Sequence, residues 1–133
     1  MLKLIVAYVA SLVVMLALDL VWLGVVAKGM YAKALGPLLV DSPKIPAAVA
    51  FYLLYPMGVI YFAVVPALAA GSSTQALIRG ALFGFFAYMT YEFTNLALIR
   101  DWPSSLVTID IVWGVILTAL VSVGAYYGAK LVS

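Results

Sequence analysis

Three carboxylates stand inside otherwise apolar stretches of this 133-residue chain: Asp19 in "LDLVWLG", Glu92 in "TYEFTN" and Asp110 in "IDIVWG". A charge at mid-bilayer costs about 2.5–3.5 kcal/mol even on lenient insertion scales, so such acids face protein or water and mark ion or substrate paths. Helical spacing then gives them companions. Asp19 and Trp22 are three residues apart, as are Asp110 and Trp113, and Glu92 and Asn95, while Tyr88 stands one turn before Glu92. Residues three or four apart share a helix face. Carboxyls, amides, phenols and indole N–H groups together can bind and pass protons, or hydrogen-bond a polar ligand. Like charges at close range cannot all ionise, so at least one of the three acids is expected to carry a proton near neutral pH. Asp41 and Asp101 fall in connections.

The residues the chain lacks narrow the chemistry. It has no cysteine and no histidine, which closes structural zinc, thiol redox, disulfide and His-based nucleophilic mechanisms. No cofactor and no metal is expected. Three carboxylates suit a hard cation in principle, but their spacing is not that of a known metal motif.

The elements that must position these groups are membrane spans. The chain is 68% hydrophobic and 9% charged, against about 25% charged in soluble domains. It is expected to be all-α: a polytopic membrane protein folded as an antiparallel four-transmembrane-helix bundle, a single integral membrane domain over residues 1–133. The spans are placed at about 4–27, 45–70, 76–99 and 106–129, each near the ~20 residues a bilayer needs. Met1-Leu2-Lys3 followed by an apolar run resembles a signal peptide, but the run is longer than such regions, so a retained first span is expected. "KGMYAKALGPLLVDSPK" (Lys28 to Lys44) is read as a connection with a short interfacial helix, its lysines toward water. Pro56 and Pro66 each remove a backbone donor from the second span. "RDWPSS" (Arg100 to Ser105) is a tight turn, with Trp102 at the membrane interface and Ser104 or Ser105 as the helix cap.

At 1.5 Å per residue, the three acids all lie roughly 6–12 Å below the same membrane boundary. Tyr52 and Tyr55 of the second span reach a similar or slightly deeper level. The candidate ligand-binding or proton-relay set is therefore Asp19, Trp22, Tyr52, Tyr55, Tyr88, Glu92, Asn95, Asp110 and Trp113. The opposed directions of the first and last spans make the repeated Asp-x-Val-Trp two matching faces on one layer rather than a duplication. Partners are the lipid bilayer and an unidentified small-molecule or lipid ligand. A second copy of the chain is a candidate through Gly80/Gly84 or Gly124/Gly128, although packing inside the monomer is the plainer use of such faces. A net charge of +2, spread thinly, gives no nucleic-acid footprint. A bacterial inner-membrane location with cytoplasmic termini is expected.

"DLVWLG" (Asp19 to Gly24), "MYAKALG" (Met30 to Gly36), "FYLLYPMG" (Phe51 to Gly58), "GALFGFFAYMTYEFTNLA" (Gly80 to Ala97) and "DIVWG" (Asp110 to Gly114) resemble the bacterial predicted-membrane-protein family named domain of unknown function 2177. The resemblance covers nearly the whole chain. It implies a fold but no activity, and family members commonly carry Asp where Glu92 stands. Three functions follow from the residues: a binding or transport protein using the carboxylates, proton-coupled; a structural or accessory subunit held by a polar layer; and a membrane-embedded enzyme acting on a lipid.

Overall fold

A computed structural model describes residues 1–133, and the chain is helical almost throughout. Helix α1 (Leu2–Val21) ends in a π-helical turn, Trp22–Val26. A short helix α2 (Met30–Leu35) follows, bracketed by Gly29 and Gly36, both at positive φ. These glycines let the chain reverse on each side of a six-residue helix. Helix α3 (Ile45–Val59), a second π stretch (Ile60–Val64) and α4 (Val65–Ala70) form one continuous run. Helix α5 (Ser73–Leu98) starts at Ser72, whose side chain accepts from the Gln75 amide at 3.2 Å. Helix α6 spans Ser104–Lys130.

Three of these runs, Leu2–Val26, Ile45–Ala70 and Ser104–Lys130, are long and apolar enough to cross a membrane. Helix α5 is as long but more polar, carrying Gln75, Arg79, Glu92 and Asn95. Apolar side chains such as Ile5, Val9, Leu20, Leu54, Phe62 and Phe86 point outward, as they do where lipid replaces water as the surrounding medium.

Helix α6 is the centre of the molecule. It packs most extensively on α5 and next on α1. The α5–α6 seam is built from small residues. A methyl placed on Gly80 would lie 2.3 Å from Ser122 Oγ, and one on Gly84 2.3 Å from the Gly114 carbonyl. Gly124 and Gly128 face α1 instead, where added methyls would meet Val14 at 3.0 Å and Ala10 at 2.9 Å. Both glycine pairs therefore pack inside the chain. Met15, Val59, Leu117 and Val121 fill the core between α1, α3 and α6.

The prolines shape the second run as well as interrupting its hydrogen bonds. Pro56 lies inside α3 and Pro66 near the start of α4, with the π stretch between them. A π turn holds an extra residue and re-aims what precedes it. That π stretch and α4 lie against α5, whereas α3 leans toward α1 and α6. The carboxylate end of the run thus parts from α5. Helix α6 also begins earlier than expected. Pro103 is its N-cap residue, with no side-chain cap, so Ser104 and Ser105 are first-turn residues rather than caps.

Candidate functional site

The polar groups meet at the end of the molecule where α1, α5 and the start of α6 come together. Glu92 is six residues before the end of α5 and Asp110 six after the start of α6, each about 9 Å in from its helix end. Asp19 lies seven residues before the end of the first helical run, roughly 10 Å in by the same rise. Asp110 is two turns into α6, well past the first turn, where its charge would meet only the helix dipole.

The two Asp-x-Val-Trp segments meet face to face. The Trp22 and Trp113 rings stack with centroids 4.5 Å apart and planes 7° off parallel. Their acids then serve the opposite partner. Asp19 accepts from the Tyr52 hydroxyl at 2.7 Å and has the Trp113 indole beside it. Asp110 accepts from the Tyr31 hydroxyl at 3.1 Å, and that hydroxyl in turn accepts from Trp22 Nε1 at 2.9 Å. The result is a crossed arrangement that ties α1 to α3 on one side and to α2 and α6 on the other.

Glu92 is almost fully buried, at 1% exposure. Trp102 Nε1 donates to it at 2.8 Å, and the Asp110 carboxyl stands next to it. The Trp102 contact depends on the α5–α6 turn. Asp101 takes a left-handed conformation, φ 62°, which Asp tolerates better than most residues, and the chain there turns so that Trp102 reaches back inward. Trp102 is therefore a ligand of a buried acid and not only an interface anchor. Every direct donor to the three acids is neutral: a phenol, a phenol and an indole.

Beside Asp110 opens a pocket of about 470 Å³, lined by Phe51, Tyr55, Ala87, Tyr88, Tyr91 and Asp110. It occupies the wedge where α3 parts from α5. Tyr55 closes its depth, pairing its hydroxyl with Thr118 Oγ1 at 2.7 Å. The Tyr88 ring lies flat over Gly114, where an added methyl would sit 2.2 Å from the ring. Its hydroxyl makes no protein hydrogen bond and is not fully buried. Phe51 and Tyr91 are largely exposed at the rim, so the pocket opens sideways, out of the helix cluster.

The nine residues singled out from sequence divide in space. Asp19, Trp22, Tyr52 and Trp113 form the α1 side; Glu92 and Asp110 form a pair; Tyr55 and Tyr88 line the pocket. Asn95 stands beside the Tyr91 hydroxyl instead of joining the carboxyls. Tyr31, Trp102 and Thr118 complete the network and were not among the nine. Tyr31 and Trp102 sit in connections, where hydrophobic period carries no positional information. Their signal is only that each is a hydrogen-bonding aromatic following a helix with an acid two turns before its end. Burial holds the Tyr31 phenol above its usual range, so it remains a donor.

Residues 4–127 match the family described as "Predicted membrane protein (DUF2177)". The chain belongs to this family. That family match and the apolar helices together make it a membrane protein. No curated protein and no solved structure matches the chain.

Proposed function

We propose that this protein crosses the membrane four times as an antiparallel bundle and binds a small amphipathic ligand at the Glu92–Asp110 pair, exchanging it for a proton. Helix α5 supplies the fourth span. Its 26 residues are long enough, and the Thr90 and Thr94 hydroxyls return to carbonyls of their own helix at 2.6 Å, which masks their polarity. The observation that carries the ligand site is Asp110. At 8% exposure, it is the one ionisable acid on the wall of a pocket otherwise lined by aromatic rings and an alanine. Ligand sites combine apolar walls with a few placed polar groups in this way.

Two adjacent buried carboxyls with no basic partner hold one proton between them, as like charges in a shared site do. Asp19 plays a different part. Tied by Tyr52 and not part of the pocket wall, it clamps α1 to α3, the role a structural polar layer would have.

Carbodiimide labelling tests this division. A hydrophobic carbodiimide reacts with protonated carboxyls that it can reach from the membrane. Mass spectrometry should find it on Asp110 or Glu92 at neutral pH, with labelling falling as pH rises and Asp19 spared. Labelling confined to Asp19, or none at any acid between pH 5 and 9, contradicts the reading.

A further inference from the structure

The pocket beside Asp110 has walls of a particular chemistry. Four of its six lining residues are Phe51, Tyr55, Tyr88 and Tyr91. Three of these rings form a connected surface, Phe51 to Tyr55 at 5.3 Å and Tyr55 to Tyr88 at 6.3 Å, and Tyr91 stands at the rim. Aromatic faces attract cations through their ring quadrupoles, most strongly where water is excluded. A carboxyl at the end of such a surface adds a full negative charge. No lysine or arginine donates to the acids, so no protein cation already satisfies the site. Neutral and anionic ligands gain little from this combination. An organic cation gains from both parts.

The shape adds a second constraint. The pocket opens sideways between α3 and α5, past the exposed rings of Phe51 and Tyr91, onto the apolar outer surface of the protein. A ligand reaching it by that route must dissolve in the bilayer, which requires an apolar body behind the charged group.

We infer that the pocket takes a monovalent organic cation with an apolar tail, an alkyl or aryl ammonium, its charged end against Asp110 and its tail toward the lipid. This rests on the proposal that Glu92 and Asp110 share one proton. Binding then follows a balanced exchange: one cation enters, the shared proton leaves to solvent, and the pair becomes doubly ionised with the ammonium between it and the rings. No bond other than the carboxyl O–H breaks. The titratable groups facing the pair are Asp19 from α1, Tyr31 from α2, Tyr55 from α3, and Tyr88 and Tyr91 from α5, none of them basic.

Hexyltrimethylammonium is a suitable probe, because it has no proton of its own and any proton released comes from the protein. Titration calorimetry on the full chain in nanodiscs of uncharged net composition, repeated in buffers of different ionisation enthalpy, reads affinity and proton release together. The expected result is saturable binding with one proton released, tightening by up to about tenfold per pH unit through the range where the pair titrates. Hexanesulfonate and 1-hexanol should show only membrane partitioning. Asp110→Asn should weaken binding at least about tenfold and remove the proton release. Tyr91→Ala, which removes one exposed ring at the pocket rim, should weaken it about two- to fivefold, the worth of one exposed cation–π contact. Equal binding of all three probes, or binding unaffected by Asp110→Asn, overturns the inference. If carbodiimide still labels the pair but the ammonium does not bind, the ligand class is wrong and the proton site stands.

Discussion

Tyr31 is the side chain on which most of the polar layer turns. It lies outside the spans, accepts from Trp22 and donates to Asp110, so it links the π turn of α1, the short helix α2 and the start of α6. Removing its hydroxyl leaves the Trp22 indole without its partner and one Asp110 oxygen without its donor. An unsatisfied buried group costs about 1–3 kcal/mol. Tyr31→Phe should lower unfolding stability by about that amount in detergent, and should shift the tryptophan emission of the Trp22–Trp113 stack toward the red. Unchanged stability and emission would mean that α2 is not docked on the layer. The pH dependence has a definite sign. The folded-state phenol titrates above its unfolded value, so its contribution is complete below about pH 10 and is lost as pH rises through the folded value. At neutral pH, the latch is intact. Sequence gave no direct sign of this role, because Tyr31 belongs to a connection whose path is set by two glycines and not by hydrophobic period.

The elements were legible in unequal measure. The long helical runs lie at Leu2–Val26, Ile45–Ala70, Ser73–Leu98 and Ser104–Lys130, because apolar length and flanking Lys, Gly and Pro mark a helix's limits directly. The similar distances of Asp19, Glu92 and Asp110 from their helix ends were readable for the same reason: rise per residue converts position into distance. Helix rotation was not readable. Depth alone does not say that Glu92 and Asp110 adjoin while Asp19 turns to Tyr52. That is decided by the small-residue seam, where Gly80 and Gly84 seat α5 on Thr118, Ser122 and Gly114 of α6. The seam makes a sharp prediction. Gly84→Ala puts a methyl 2.3 Å from the Gly114 carbonyl and should destabilise the protein by about 1–3 kcal/mol, the usual cost of overpacking. Gly24→Ala meets nothing within 4 Å and should leave stability unchanged or slightly raised. Thermal unfolding followed by tryptophan fluorescence separates the two; equal effects would contradict the seam. The π turns were also beyond sequence reading, since Pro56 and Pro66 mark an interruption without saying how the backbone absorbs it.

At the scale of the whole molecule, the chain joins a closely packed half to an open one. Helices α1 and α5 each pack closely on α6 through glycine faces, with little room at either seam. The run from Ile45 to Ala70 closes on α5 from its middle onward, beginning where Phe83 lies against Gly58, and parts from it at the carboxylate end. An apolar surface surrounds both halves, so the buried acids and the pocket between α3 and α5 are where polar chemistry is concentrated. The account stands on the claim that Glu92 and Asp110 act as one proton-holding pair beside that pocket. Infrared difference spectroscopy reads this directly, through the C=O stretch that only a protonated carboxyl gives. The wild-type protein should show one such band at neutral pH, lost on deprotonation at higher pH. Glu92→Gln should abolish it at neutral pH, and Asp110→Asn should shift its frequency and its pH range, because Glu92 stays buried but loses its charged neighbour, while Asp19→Asn should leave it in place. A wild-type spectrum with no protonated carboxyl at neutral pH, or a band removed only by Asp19→Asn, would contradict the account.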